Sequence, residues 1–283
     1  MRLPEEDVQP GALAEIAISV NSNPFSMIAS FASKTLAIVE LEARKLRHDF
    51  SELLTRAIQP ALWLLLFGGV LARARIIPTA DVPYLDFIAP GILAQSVLFV
   101  SIFYGVAIIW ERDLGITSKL LVSPVPRSAL VLGKALSAGL RSLSQVVIIY
   151  ALAFVLGVEL KWSPVSLAGV LIVVILGAAL FATFSLIIAC LVKTRERFMG
   201  IGQLLTMPLF FASNAIYPIS LMPDWLRVTS RINPLSYEVD ALRALMLQNG
   251  ASSFGLVTDL TVLFLSALVL VIIGARLYPR VVL

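Results

Sequence analysis

Residues 167–192 contain no charged side chain and are almost entirely apolar. A helix of about 20 apolar residues crosses the ~30 Å hydrocarbon core of a bilayer, so this segment is long enough to span a membrane. The chain as a whole is also apolar, because only 14% of its residues are charged and its mean hydropathy is +0.92. That is more apolar surface than one soluble core buries, and the sequence predicts an integral membrane protein.

Six apolar segments divide the chain into spans and connections. They cover approximately residues 57–77, 88–110, 131–157, 167–192, 200–217 and 256–277. Lys and Arg are concentrated before the first segment and after the second, fourth and sixth, and basic residues favour the cytoplasmic side. The expected fold is an all-α integral membrane protein with six transmembrane helices and both termini cytoplasmic, in the plasma (inner) membrane.

The region before the first span divides into two parts. Residues 1–33 begin with acidic residues and lack a signal-peptide core, which predicts a partly disordered cytoplasmic tail. Residues 34–56 show apolar residues at helical spacing with charges on the other side, which predicts an amphipathic helix along the membrane surface. Its predicted apolar face comprises Leu36, Val39, Ala43, Leu46, Phe50 and Leu53. A helix packed on a soluble neighbour is the alternative.

The segment after the fifth span, residues 218–250, is too apolar for a free loop and is broken by three prolines. Short re-entrant helices at the outer leaflet fit this composition better than a span. Asn233 or Ser236 is expected to cap the last of these helices.

The residue content and charge distribution of the chain disfavour several classes of site. The chain has one cysteine, Cys190, and one histidine, His48, which excludes a disulfide framework and a Cys/His metal site. The net charge of +4 is dispersed between apolar spans, so anionic lipid is a better partner than nucleic acid. No acidic residue is expected in mid-membrane, which leaves a proton or sodium relay without a carrier.

Polar and aromatic side chains within spans two and five are candidates for a translocation pathway. These candidates are Gln95, Phe99, Gln203, Met207, Phe210 and Asn214. Helix packing explains the same residues equally well at this stage. Arg141 lies on one helical stripe with Lys134 and is expected to mark a helix that extends into the headgroup region.

Residues 111–126, here called the connecting segment, follow the second span. The segment has a charged start, a glycine at its fifth position, an apolar cluster at Leu120–Val122 and two prolines near its end. Because residues before proline disfavour helix, this pattern predicts a short cytoplasmic helix ended by proline. A plain solvated connector is the alternative.

Two separated motifs resemble the membrane subunits of type-2 ABC exporters, the group that includes daunorubicin-resistance and nodulation-factor export permeases. The first comprises Leu114-Gly115, Ser123-Pro124, Leu130 and Lys134. The second comprises Tyr217-Pro218-Ile219, the run from Met222 to Leu226 and the run from Asn233 to Arg243. The resemblance covers about residues 30–280.

The resemblance implies a half-transporter without its motor. Two six-helix subunits, identical or homologous, would face each other, and two copies of an ABC ATPase subunit would dock below them and carry ATP and Mg. This chain itself would bind no cofactor and no nucleic acid, and the bilayer would be its remaining partner. The coupling helix to the ATPase would comprise Glu111, Arg112, Gly115, Leu120, Leu121, Ser123 and Pro124, and the outer gate Tyr217, Pro218, Trp225, Asn233 and Pro234.

One observation from the residues agrees independently. The Gly-x-x-x-x-Gly-Lys-Ser/Thr phosphate loop is absent from the sequence, because Gly133-Lys134 has Ser128 and Ala135 in place of the first glycine and the hydroxyl residue. The chain is therefore not expected to be an enzyme. An ion-coupled secondary transporter or channel is the alternative function, and a membrane-embedded enzyme is disfavoured because no catalytic constellation is visible.

Overall fold

A computed structural model describes residues 24–46, 58–74, 82–122 and 125–281, and almost all of this part of the chain is helical. The helices are α1 (Pro24–Leu46), α2 (Ile58–Ala74), α3 (Tyr84–Asp113), α4 (Ile116–Val122), α5 (Arg127–Val155), α6 (Pro164–Leu191), α7 (Arg195–Phe211), α8 (Asp224–Ile232), α9 (Pro234–Met246) and α10 (Leu256–Leu277). Two 3₁₀ turns, Ile219–Leu221 and Tyr278–Val281, complete the described elements.

Four of these helices, α3, α5, α6 and α10, are long and apolar enough to cross a bilayer. The predicted span 256–277 coincides with α10, whereas α3 and α5 each begin four residues before the prediction, directly after their N-cap residues Pro83 and Pro126. Pro164 occupies the first turn of α6, where its missing N–H costs no hydrogen bond.

The other two predicted spans are shorter. Helix α2 is apolar and ends at Ala74, with a π-helical stretch over Trp63–Gly68. Helix α7 begins at Arg195, five residues before the predicted span, because the side chain of Thr194 accepts a hydrogen bond from the backbone N–H of Arg197 and caps it. It ends at Phe211, well short of residue 217, and six complete spans stay a prediction.

The amphipathic helix was located only in part from the sequence. It begins at Pro24, so the prediction of a tail up to residue 33 is wrong for residues 24–33. Its buried face comprises Thr35, Ile38 and Glu42, which pack on α5, whereas Leu36 of the predicted apolar face is 62% exposed. Residues 1–23 and 47–56, for which a tail and the end of this helix are predicted, lie outside the described residues.

The core is built around α3 and α6. Helix α3 is buried on nearly all sides, and α6 packs against α3, α5, α9 and α10. Apolar side chains of α10 such as Phe264, Leu268 and Ile272 point outward and are about half exposed, as expected of a helix that faces lipid.

The segment between α7 and α10 forms the short helices that the sequence predicts. Helix α9 packs against α3, α6 and α10, and its end is fixed to the α5–α6 turn by an isolated antiparallel bridge between Leu160 and Leu247. The N–H of Lys161 donates to the carbonyl of Met246 at 2.8 Å. These contacts make α9 part of the folded bundle.

Candidate functional site

The connecting segment forms the predicted short helix, α4, between α3 and α5. Gly115 has φ +70°, a conformation in which L side chains are strained, and this glycine separates the end of α3 from α4. Ser123 and Pro124 of the predicted coupling helix lie outside the described residues.

Arg112 and its neighbours hold the start of the connecting segment against the α6–α7 turn. Arg112 donates to the carbonyl of Lys193 at 2.7 Å and to that of Val192 at 3.3 Å. Asp113 pairs with Arg195 at 2.9 Å, and the Arg195 guanidinium lies 4.2 Å from the ring centre of Trp110. The connections after the second and fourth predicted spans, which the sequence analysis treats separately, therefore form one surface.

A buried cluster of charges, here called the ion cluster, lies directly behind this surface. Lys134 of α5 is 2% exposed and lies 2.5 Å from a carboxylate oxygen of Glu111 and 3.8 Å from one of Glu42. Arg141, two turns further along α5, lies 3.9 Å from Glu42 and 5.4 Å from the ring centre of Tyr104. The ion cluster joins α1, α3 and α5, because each helix contributes at least one of its charges.

The ion cluster corrects one expectation from the sequence. Glu42, one of the charges expected on the polar side of the amphipathic helix, is only 4% exposed, and Arg141 is paired with this buried carboxylate. The signal that was available is the seven-residue spacing of Lys134 and Arg141, which places both on one face of α5.

The apolar cluster of the connecting segment, Leu120–Val122, is only partly exposed. Leu120 and Leu121 are partly buried against the protein's own core, whereas Leu114 is 68% and Val122 88% exposed. Both leucines of the short helix pack on the apolar cluster that includes Ile108 and Leu130. Leu114, just before the helix, and Val122, at its end, face outward.

An open cavity of about 510 Å³ lies between α2, α3, α5 and α7. Four of the six predicted pathway residues, Gln95, Phe99, Gln203 and Met207, line it together. Sequence reasoning missed its other lining residues, which are Gln59, Pro60, Ser96, Val100, Phe103 and Gln145. We call this site the amide cavity, after its four glutamines.

The remaining two predicted pathway residues lie elsewhere. Phe210 is completely buried in the main apolar core, so its role is packing. Asn214 lies one turn beyond the end of α7 and lines a second cavity of about 320 Å³ together with Pro218 and Arg243.

A polar network, here called the outer network, surrounds this second cavity. Asp240 of α9 accepts hydrogen bonds from the Ser252 hydroxyl at 3.0 Å and the Phe254 N–H at 2.9 Å, and lies 3.7 Å from Arg243. Arg243 in turn donates to the Asn214 carbonyl at 2.9 Å. These bonds fix the turn after α7, helix α9 and the approach to α10 to one another.

Ser252 also donates to Asp259 at 2.8 Å, so one hydroxyl proton serves two carboxyl groups. Because a hydroxyl has a single proton, the two hydrogen bonds compete unless one carboxyl is itself protonated.

Glu238 of α9 is a buried carboxyl that the sequence analysis did not anticipate. Its side chain is 0% exposed and rests on Gly177, midway along α6, where a methyl group would overlap the carboxyl. Neither carboxyl oxygen has a hydrogen-bond partner among the described residues. In this helix, which is not a spanning one, burial raises the pKa of Glu238 well above its usual range.

The predicted outer-gate residues occupy the connections around α8 and α9. Asn233 caps α9 as predicted, since it accepts from the Leu235 N–H at 3.0 Å, and it also donates to the Leu209 carbonyl at 2.6 Å. Tyr217 donates to the Phe211 carbonyl, and Pro234 is the first residue of α9. Trp225 is 70% exposed on α8 and joins none of these contacts.

Comparison with known proteins matches residues 33–247 to the family model described as ABC-2 type transporter. The chain is 30% identical to the transport permease ycf38 of Cyanophora paradoxa over 80% of its length and 79% of the relative's. It is 24% identical to the daunorubicin resistance ABC transporter permease protein DrrB1 of Streptomyces coeruleorubidus, over 80% and 78% of the two chains. Nodulation protein J of Bradyrhizobium diazoefficiens is 28% identical over 67% of this chain and 71% of its own.

Proposed function

Because the chain belongs to the ABC-2 type transporter family and is a multi-pass membrane subunit of an ABC transporter, we propose that it moves a hydrophobic or amphiphilic substrate outward across the plasma (inner) membrane, powered by ATP hydrolysis on a separate chain. The match over residues 33–247 carries this conclusion. We infer a drug, a lipid or a glycolipid as the substrate, and the daunorubicin resistance permease supports the first of these by its name.

ATP is bound and hydrolysed by a separate partner chain. The nearest approach to a phosphate loop, Gly133-Lys134, lies inside helix α5, where Gly133 contacts Ile38 and Lys134 is paired with Glu111. A phosphate loop must present free backbone N–H groups, which an uninterrupted helix does not. The assembled transporter contains two ATPase subunits that bind ATP and Mg, and a second permease subunit.

The connecting segment is the contact to the ATPase. Its exposed Leu114 and Val122 provide apolar surface, while its base is fixed to the α6–α7 turn through Arg112 and to α5 through Glu111. A contact that transmits motion needs such a rigid base, because a loosely attached loop would move without moving the bundle. With both termini cytoplasmic, this surface faces the ATPase.

The alternative, an ion-coupled transporter or channel, is disfavoured from the sequence because no acidic residue is expected in mid-membrane. Membership of the ABC-2 type transporter family also argues against it. Transport that persists without ATP but collapses with the ion gradient would favour the alternative.

The test is co-purification with the candidate ATPase, followed by ATP-dependent transport in reconstituted vesicles. Leu114→Asp and Val122→Asp place an unpaired charge in the contact, which costs several kcal/mol when buried. We expect loss of ATPase association and of transport, with normal insertion because both side chains are exposed in the free subunit.

Val165→Asp is the matched control, since Val165 is 80% exposed at the other end of α6 from the α6–α7 turn. If both variants of the connecting segment retain ATPase binding and export, this segment is not the contact, and α1 or residues 193–197 become the next surfaces to test.

A further inference from the structure

The amide cavity combines hydrogen-bonding groups of one kind with an apolar wall. Gln59, Gln95, Gln145 and Gln203 approach it from four helices, and Phe99 and Phe103 lie along one wall with ring centres 6.0 Å apart. Each glutamine offers two donors and a carbonyl acceptor without carrying charge. The volume of about 510 Å³ falls within the range of about 300–1,000 Å³ typical of small-molecule sites.

Gln145 supplies a second, independent observation. It is 1% exposed, and within the described residues neither its amide nitrogen nor its amide oxygen has a hydrogen-bond partner. Buried amides are nearly always hydrogen-bonded, because leaving both groups unpaired is costly. A donor and an acceptor left without partners in the wall of a cavity indicate a ligand that supplies both.

Charge is kept away from this cavity. Its described lining contains no Asp, Glu, Lys or Arg. The nearest cation along α5, Arg141, lies one turn from Gln145 but faces Glu42 and the Tyr104 ring. A charged headgroup would therefore lose water in the cavity without gaining an ionic partner, whereas hydroxyl and carbonyl groups would gain hydrogen bonds.

The cavity is also graded from outside to inside. Gln59 and Gln203 are exposed, whereas Gln95 and Gln145 are buried. A ligand entering past the first pair meets the second pair and the two phenylalanines, which suits a molecule with a polar head and an apolar body.

We propose that the amide cavity binds the uncharged, hydroxyl- or carbonyl-rich headgroup of an amphiphile, and that its glutamine amides select against both anionic and cationic headgroups. This inference rests on the proposed function in one respect, which is that the bound molecule is also the transported one. The binding preference itself needs no ATPase.

The test is equilibrium binding to the full-length permease in phosphatidylcholine nanodiscs, without an ATPase. Four fluorescent probes with identical acyl chains are compared: monoglucosyl diacylglycerol, diacylglycerol, phosphatidylglycerol and a trimethylammonium diacyl lipid. We expect the glucosyl probe to bind about tenfold or more tightly than the other three, because one or two additional hydrogen bonds are worth about that factor.

Gln145→Leu keeps the side-chain size and removes the amide. We expect it to weaken glucosyl binding by about fivefold to tenfold and to leave diacylglycerol binding unchanged. Gln248→Leu is the matched control, since Gln248 donates to the Leu160 carbonyl outside the cavity. If Gln145→Leu is not monodisperse, Gln203→Leu on the exposed wall replaces it with the same expectation.

Equal binding of all four probes, or preference for a charged probe, overturns the inference. So does a Gln145→Leu protein that keeps glucosyl affinity but changes oligomeric state, because the amide would then belong to a subunit contact. ATP-dependent transport without headgroup preference refutes the inference alone. Headgroup preference without ATP-dependent transport supports the inference and refutes the proposed exporter.

Discussion

Glu238 and Gly177 illustrate how one residue depends on another that is distant in sequence. The carboxyl of Glu238 occupies the space that a side chain on Gly177 would fill. The glycine therefore makes room for a carboxyl of α9 against the middle of the apolar helix α6. Burial without a hydrogen-bond partner among the described residues favours the neutral form of this carboxyl and raises its pKa.

At this scale we expect a pH-dependent stability that Glu238→Gln removes in part. The folded protein keeps a proton that the unfolded chain releases above the carboxyl's usual pKa of about 4.3. This stabilising contribution is therefore complete below that pKa and is lost as the pH rises toward the raised folded-state pKa. Each pH unit costs at most about 1.4 kcal/mol, or roughly 3 °C in melting temperature.

Melting temperatures in detergent between about pH 5 and 8 check this, and the slope should be shallower in Glu238→Gln than in the native protein. Glu196→Gln, which removes an exposed carboxyl in the first turn of α7, controls for the loss of an acidic group. Identical slopes in all three proteins would mean that Glu238 is ionised in the folded state.

The ion cluster shows that whole helices also depend on partners that are distant in sequence. Helices α1, α3 and α5 are held together where their charges meet, and the end of α3 leads directly into the connecting segment. Lys134 is the common partner of Glu42 and Glu111, so its removal leaves two buried carboxylates without it.

At the scale of these elements we expect Lys134→Met to destabilise the subunit strongly. Removing one partner of a buried ion pair costs about 3–5 kcal/mol, whereas replacing both partners costs much less. The double variant Lys134→Met, Glu111→Gln should therefore melt at a higher temperature than Lys134→Met alone. Lys161→Met, at an exposed position, is the control, and equal melting temperatures of the single and double variants would count against a coupled pair.

For the whole molecule, we expect the connecting segment and the segment before α10 to lie on opposite sides of the membrane. Lys119→Cys and Ser253→Cys place thiols at exposed positions of the two segments, in a Cys190→Ser background that removes the single native thiol. Ser253 is preferable to Ser252, whose hydroxyl serves Asp240 and Asp259.

A membrane-impermeant maleimide applied to intact cells should label only the thiol at position 253 because of the positive-inside bias. Labelling of both thiols from the same side would contradict the orientation and the number of crossings between them.

Much of the fold and part of the candidate site could be predicted because their signals are local. Span 256–277, the Asn233 cap and the short helix after Gly115 each follow from residues adjacent in sequence. Four of the ten lining residues of the amide cavity were predicted, since Gln95 and Phe99 share one helix face and Gln203 and Met207 share another. Gln59 and Gln145 were missed because they lie on helices whose rotation about their own axes the sequence leaves open.

The sequence by itself determined that this chain crosses a bilayer repeatedly, that it lacks a phosphate loop and that it resembles type-2 ABC permeases, since apolar length and short motifs are properties of neighbouring residues. Only the tertiary structure decided that Glu42 is buried, that Leu120 and Leu121 turn inward and that Glu238 reaches the middle of α6. The physical reason is that a helix in a membrane protein can turn an apolar face to lipid as readily as to the core. The sequence pattern therefore does not reveal which face packs inward, and that choice is made by contacts between residues far apart in the chain.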